Sequence, residues 1–377
     1  MLKIGFDAKR IFHNFTGLGN YSRSLVENLA KYFPQHAYHL YTPKLKEHIR
    51  SKAFLDRSRY HLHTASIVPA SLWRSFLMHQ DLKLHQLDIY HGLSHEIPFH
   101  IRKSGIKSVV SIHDMIFKKY PEQYPFFDRQ LYNWKFRYAC EQANKVIAMS
   151  ENTRQDIIEY YNIPPSKIEV IYQSCHPQFF QKVTETVRMK VCQQYKLPQT
   201  YLLYVGSIIP RKRLLSIVKA MKITDTDIPL VVLGEGKRYK QEVKTYIRQH
   251  HLDHRVLFPK NVSFSDFPAI YQQASIFIYP SIYEGFGIPI IEALYSKIPV
   301  ITAFNSSLAE ASGPEAYFIN PHQTEEIAAA IDHILTDHEL STKMIEKGYE
   351  HVQSFHPERL SRQLMQVYQR LLENSLA

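Results

Sequence analysis

At 377 residues, 45% of them hydrophobic, the chain is long enough for two domains of ordinary size, each with its own core. Its formal net charge of +11 admits nucleic acid, an acidic membrane surface or a charged substrate as partner, and charge alone does not choose among them. No stretch reaches the roughly 18 consecutive apolar residues of a membrane-spanning helix, and Cys140, Cys175 and Cys192, odd in number and widely spaced, give no reason to expect disulfides or a cysteine zinc site.

In chain order, Met1-Leu2-Lys3-Ile4-Gly5-Phe6-Asp7 runs into a strand rather than a signal sequence, so a cytoplasmic protein is expected. Further strands are predicted at 88–93, 107–113, 145–149 and 168–172, then at 201–206, 229–233, 276–279 and 299–302, with helical patterns alternating between them. That alternation argues for an α/β protein with two parallel sheets. Polar residues with Pro177 and Pro198 interrupt the series, which sets a first domain at 1–176, a linker at 177–200 and a second domain at 201–356. The amphipathic stretch from Pro357, with no strand after it, is expected to cross back onto the first domain as a helix over 357–377. There is no internal repeat and no low-complexity tract.

Glycine is scarce, 12 in 377 against a usual share of roughly 7%, so its placement is informative. Seven fall in four clusters: Gly17 with Gly19, Gly206, Gly234 with Gly236, and Gly285 with Gly287. Three clusters sit at predicted carboxyl ends of strands, where open parallel sheets bind ligands. A cleft between two Rossmann-like domains is the expected site.

The densest information lies in Tyr283-Glu284-Gly285-Phe286-Gly287-Ile288-Pro289-Ile290-Ile291-Glu292, which places two carboxylates eight positions apart around a glycine turn and a helix start. Pro289 suits a first helical turn, and the amides near Phe286, Gly287 and Ile288 would point from a positive helix end toward an anion. Carboxylates beside an anion site make sense for a ligand that also carries hydroxyls, such as a nucleotide sugar. An ordinary strand, turn and helix, with the glutamates capping the helix or in solvent, is equally compatible with the spacing. A second strand end, Tyr204-Val205-Gly206-Ser207-Ile208-Ile209-Pro210-Arg211-Lys212-Arg213, leads into what reads as a proline-opened helix with cations on its first turn. Such cations oppose the helix dipole unless an anion compensates, so Arg211 and Lys212 are expected to be diphosphate ligands and Arg213 to be solvated.

Gly206 through Lys212, with Glu284-Gly285-Phe286-Gly287 and Glu292, resembles the retaining glycosyltransferases of family four, which have the two-domain GT-B architecture. Gly17-Leu18-Gly19-Asn20-Tyr21 is similar to that family's N-terminal glycine loop, Ser111-Ile112-His113-Asp114 to its strand-end histidine motif, and Lys145-Val146-Ile147-Ala148-Met149-Ser150-Glu151 also matches. The resemblance implies that Arg211 and Lys212 hold the donor diphosphate, Glu292 the nucleotide ribose and Glu284 the sugar hydroxyls. His113 would face the sugar, and Gly17 with Gly19 would close on the phosphates or leave room for acceptor. Donor contacts at Gly206, Ser207, Gly285, Phe286, Gly287 and Ile288 complete the set, although Ser207 stands where many relatives have arginine. The implied reaction moves a hexose, mannose from GDP-mannose being favoured over a UDP-linked sugar, to a carbohydrate or lipid-linked glycan of a surface polysaccharide. The acceptor attacks from the face the leaving group departs, and no metal or other cofactor takes part. A covalent role for Glu284 is the competing idea.

Other motifs weaken on inspection. Asp225-Thr226-Asp227 imitates a metal motif but precedes the 229–233 strand in a turn, where acidic residues are common. Val232-Leu233-Gly234-Glu235-Gly236 imitates a dinucleotide fingerprint without its third glycine. His95-Glu96 with His100 has the wrong spacing for a zinc helix, and Pro98 interrupts it. The run Arg211-Lys212-Arg213 is too short for a nucleic-acid tail, so no nucleic acid is expected, whereas weak peripheral attraction to anionic lipid headgroups is. A dinucleotide oxidoreductase and a noncatalytic glycan-binding protein stand as rival readings.

Overall fold

The computed structural model describes residues 1–65, 69 and 72–373. They form two α/β units, the first comprising Met1–Ser174 with Phe355–Ala377 and the second Cys175–Ser354. Residues 374–377, at the end of the predicted last helix, lie outside the described residues.

Unit 1 is built on a 7-stranded sheet, in which every pairing is parallel, in the spatial order β3-β2-β1-β4-β5-β6-β7. Its strands are β1 (Lys3–Asp7), β2 (Ala37–Thr42), β3 (His61–Thr64), β4 (Ile89–Gly92), β5 (Lys107–Ile112), β6 (Lys145–Ala148) and β7 (Ile168–Val170). Strands β4 to β6 are almost wholly buried, as expected for parallel strands covered on both faces. The final helix, Pro357–Glu373, packs on the helix Gly17–Tyr32 of the same unit. Its Tyr368 hydroxyl lies 2.6 Å from His91 Nδ1. The relay continues from His91 Nε2 to Ser111 Oγ at 2.8 Å and from Ser111 Oγ to the Tyr21 hydroxyl at 2.8 Å, so one buried polar chain ties the last helix, β4, β5 and the first long helix together.

Unit 2 has a 6-stranded parallel sheet in the order β10-β9-β8-β11-β12-β13. Its strands are β8 (Leu202–Val205), β9 (Leu230–Leu233), β10 (Val256–Leu257), β11 (Ile276–Tyr279), β12 (Val300–Ala303) and β13 (Tyr317–Ile319). Leu202, Tyr204, Val232, Ile276, Ile278 and Ile301 from its strands join Ile217, Ile327 and Ile331 from flanking helices in one core. The segment expected to be a linker, 177–200, is instead folded into this unit. Phe179 is fully buried, Tyr195 donates to Asp266 at 2.7 Å, and the helix Glu185–Tyr195 packs on Phe267–Gln273. The apolar residues among its charges are what hold it, and the unit boundary falls earlier, at 174/175.

Candidate active site

In unit 2 the carboxyl ends of β8 and β11 hold the predicted donor residues. Pro210–Lys212 is a single 3-10 turn, ended by Arg213 in the left-handed region at φ 55°, and only then does the helix Leu214–Ala220 begin. Contrary to expectation, the cations therefore precede the first turn of that helix, and the argument from its dipole does not apply to them. What compensates them is a carboxylate. Arg211 Nη1 lies 2.9 Å from Glu284 Oε1, Lys212 Nζ lies 3.4 Å from the same oxygen, and the Ser281 hydroxyl donates to it at 2.7 Å. The Tyr279 hydroxyl adds a bond at 3.2 Å and itself receives Lys212 Nζ, while Arg211 Nη1 also donates to the Tyr283 carbonyl.

Burial alone would push the Glu284 carboxyl up, but the Lys212 and Arg211 charges hold it below its ordinary value. Burial draws the Lys212 ammonium down, with Glu284 opposing the shift. The cluster holds two cations against one carboxylate, leaving one positive charge over. Arg213, expected in solvent, is half-buried and donates from Nε to the Pro321 carbonyl at 3.2 Å.

The loop after β11 leads through Gly285 and Phe286 to Gly287, whose φ of 144° suits glycine, and the helix Ile288–Tyr295 begins directly after it with Pro289 in its first turn. A Cβ at Gly287 would also come 3.1 Å from Ala311 Cβ. Glu292 lies one turn further on, only 8% exposed, and accepts from the Tyr271 hydroxyl at 2.7 Å. Burial raises its carboxyl to about 7. The two glutamates thus sit in opposite states: Glu284 is held ionised by cations, and Glu292 is poised near neutrality by desolvation.

Gly206, at φ 152°, and exposed Ser207 follow β8. The Gly206 carbonyl lies where a Cβ on Gly234 would stand, 1.9 Å away, so Gly234 and Gly206 pack backbone on backbone. Steric need thus accounts for the glycine that imitated a dinucleotide fingerprint. Several residues that hold the site were not singled out from sequence. The Ser307 hydroxyl, fully buried, donates to the Glu284 carbonyl at 2.7 Å and to the Phe286 carbonyl at 2.8 Å, and Asn305 Nδ2 donates to the Ile282 carbonyl at 2.8 Å. The signal was the run Asn305-Ser306-Ser307, one residue beyond the apolar β12, at the carboxyl end beside β11.

In unit 1, His113 follows β5 and is buried at 6% exposure. Its Nε2 donates to the Leu93 carbonyl at 2.9 Å, which fixes the neutral tautomer with the proton on Nε2. Burial lowers its pKa to about 4, against the raising effect of that bond. The Tyr21 ring meets it edge-on at 4.5 Å. Gly17 and Gly19 do not form a loop before a helix but its first turn. Gly17 has open space around it, whereas Gly19 accommodates the Asn14 carbonyl and donates its amide to Asn14 Oδ1 at 3.0 Å.

Asp225 and Asp227 lie before β9, at the amino end of the strand. Asp227 is exposed and reaches Arg255 at 3.7 Å, and the Asp225 amide donates to Asp332. Among the described residues no group of three or more His, Cys, Asp and Glu side chains is arranged to hold a metal ion. Cys140, Cys175 and Cys192 are free thiols.

Two family models match the chain, "Glycosyltransferase Family 4" over residues 15–178 and "Glycosyl transferases group 1" over residues 192–351. The chain is a glycosyltransferase of the family-four type. The glycosyltransferase is 26% identical to O-antigen chain mannosyltransferase B of Escherichia coli, over 98% of this chain and 100% of that one. It is 28% identical to O-antigen chain mannosyltransferase RfbU of Salmonella typhimurium over 60% of each. In fold it is similar to a glycosyltransferase from Rickettsia africae (TM-score 0.77, 21% identity, 99% of each chain) and to Anabaena Alr3699/HepE, solved with UDP and glucose (TM-score 0.74, 16% identity, 97% of this chain and 99% of that one). The GT-B fold expected of this glycosyltransferase is the one found, and membership of the family sets aside the oxidoreductase and the noncatalytic glycan-binding protein.

Proposed function

We propose that this glycosyltransferase moves a hexose from a nucleotide-sugar donor to a carbohydrate or lipid-linked glycan acceptor in surface-polysaccharide biosynthesis, with retention of configuration and without a metal or other cofactor. Mannose from GDP-mannose is the favoured donor, a reading supported by the names of the two relatives above. UDP-linked hexose is the alternative. The observation that carries the proposal is the convergence of Arg211 and Lys212 on one part-buried carboxylate shortly before the helix Ile288–Tyr295.

In this reading the donor diphosphate takes the surplus positive charge of the cluster. Arg211 and Lys212 then stabilise the negative charge that develops on the departing nucleoside diphosphate, a preorganised electrostatic role that needs no proton transfer from the enzyme. Glu284, kept ionised, accepts hydrogen bonds from donor hydroxyls, and Glu292 accepts one from the ribose. Contacts with Gly206, Ser207 and the Gly285-Phe286-Gly287-Ile288 backbone position the donor. The leaving phosphate oxygen takes the proton of the attacking acceptor hydroxyl. Two cations on Glu284 lower its basicity, which disfavours the covalent role considered for it. His113, Gly17 and Gly19 belong to the proposed set by resemblance, His113 as a neutral imidazole toward the sugar.

No helix among the described residues is long and apolar enough to cross a membrane. We propose a cytoplasmic enzyme that binds no nucleic acid and is drawn by its charge to the anionic inner face of the cell membrane. A thermal-shift panel of nucleotide sugars, followed by transfer assays with the donors that bind, tests the donor reading. GDP-mannose is expected to give the largest shift and support transfer with retention. Stabilisation by UDP-sugars alone would reassign the base, and an inverted product would overturn the mechanism.

A further inference from the structure

The positive charge is unevenly divided. Unit 1 holds 27 Lys and Arg against 17 Asp and Glu, while unit 2 holds 19 against 18, so nearly all of the net +11 belongs to unit 1. The same unit carries an unusual helix. In Phe126–Gln142 the inward face is supplied by Phe136, Ala139 and Cys140, which join the core. Phe127, Leu131 and Trp134 follow at i, i+4 and i+7, within one narrow stripe on the side opposite Phe136. They are 84%, 47% and 52% exposed. Trp134 continues into a row of rings, its centroid 4.8 Å from that of Phe99 in a tilted pair, and Phe99 lies 4.9 Å from half-exposed Phe76.

A soluble helix with one core face has no use for a second apolar stripe of aromatic side chains. Cations lie on the other faces of this helix and on the elements packed beside it. The Arg129 guanidinium lies over the Phe126 ring, Arg137 is half-exposed beside Tyr161, and Lys118 and Lys119 sit on the adjoining helix Ile116–Lys119. At the carboxyl end Arg102 and Lys167 donate to the Glu141 carbonyl. The acidic groups on these elements, on the turn Pro121–Gln123 and on the helix Glu151–Tyr161 are Glu122, Asp128, Glu141, Glu151, Asp156 and Glu159, with Glu141 4.0 Å from Arg137 and Asp156 facing Lys119. Tryptophan and phenylalanine beside arginine and lysine are the side chains that settle at a bilayer interface, the rings among headgroups and upper acyl chains and the cations on lipid phosphates.

We infer that the stripe Phe127-Leu131-Trp134 is the surface by which unit 1 docks in the headgroup layer of an anionic phospholipid membrane. This rests on the electrostatic attraction proposed above and adds to it a defined insertion site. It also places the active protein where a lipid-linked acceptor is held.

The test uses the full chain with vesicles that contain no glycolipid, made of phosphatidylethanolamine and phosphatidylglycerol or of phosphatidylcholine alone. The two tryptophans separate cleanly, Trp73 being 5% exposed and bonded to Asp81, and Trp134 half-exposed. Anionic vesicles are expected to bind the protein and shift Trp134 emission to the blue. Phe127→Asp should lower partitioning about tenfold, the loss of one buried phenyl ring, with its melting temperature unchanged. Salt-sensitive binding to anionic vesicles without an emission shift, and unaffected by Phe127→Asp, would overturn the docking surface and leave the attraction standing. No binding to either vesicle would overturn both. Self-association dispersed by Phe127→Asp, with no partitioning, would show that a second copy covers the stripe and would also overturn the inference. Should Phe127→Asp fail to fold, Trp134 emission in the unmodified protein decides the matter.

Discussion

Glu292→Gln separates what burial does to this carboxylate from what a donor would do. The folded pKa is raised from 4.5 to about 7 by burial. Below pH 4.5 the group is neutral in both the folded and unfolded chain and costs nothing. As pH rises, the unfolded chain ionises first, and stability falls until the native carboxyl also ionises near pH 7. A displacement of this size corresponds to about 3 kcal/mol at most, and about 1–3 kcal/mol is a fair expectation. Gln keeps the shape and still accepts from Tyr271, but it has no charge to desolvate. The stability of the variant relative to the unmodified protein should therefore improve by that amount between pH 4.5 and pH 8, read by calorimetric or denaturant unfolding at both. Donor binding should move the other way. Losing a charge-assisted bond to the ribose removes about 1.5–3 kcal/mol, roughly ten- to hundredfold in Kd at pH 8. The unmodified protein's affinity should rise through pH 7 while the variant's stays flat. A stability difference independent of pH would refute the burial argument, and an unchanged nucleotide-sugar Kd would remove Glu292 from the donor site.

Three further outcomes follow from the same geometry. Arg211→Ala and Lys212→Ala should each cut turnover with every accepted donor, and the double variant should lose less than the two together, because both cations act on one leaving group; folded single variants with full turnover would end their assignment. Saturating EDTA should leave transfer intact, and Asp227→Ala, which gives up only an exposed contact with Arg255, should leave turnover and melting temperature unchanged; activity lost to EDTA and restored by manganese or magnesium would favour a metal. Ser307→Ala strips the shared donor from the Glu284 and Phe286 carbonyls and should cost about 1–3 kcal/mol in thermal unfolding, with a weaker donor Kd, and a variant as stable as the unmodified protein would show that the loop is held by other contacts.

The fold was legible wherever burial on both faces forces an unbroken apolar run. Leu230–Leu233 and Ile276–Tyr279 are such strands. His61-Leu62-His63-Thr64 is an edge strand with two exposed ends, and Val256–Leu257 is only two residues long, so neither shows that pattern. In the site, the glycine turn and the helix start at Ile288 were readable because glycine and proline act locally. The turn at Arg211 and Lys212 was not, since it is broken by a left-handed arginine, a conformation that sequence does not announce. Nor could sequence show that Glu284 pairs with two cations 72 to 73 positions earlier in the chain, a contact that exists only because β8 and β11 are neighbours.

The close seat of the Gly206 carbonyl beneath Gly234 bears on engineering. The segments after β8 and β9 touch through their main chains, and the Ile208 amide donates to the Glu235 carbonyl at 2.8 Å. Neither can be exchanged alone for a relative's counterpart, because a bulkier residue at position 234 would displace the backbone that leads to Arg211 and Lys212. A chimaera meant to alter sugar preference must transplant 206–213 and 234–238 as a matched pair, and a library that randomises one of them will mostly sample collapsed geometry at the other.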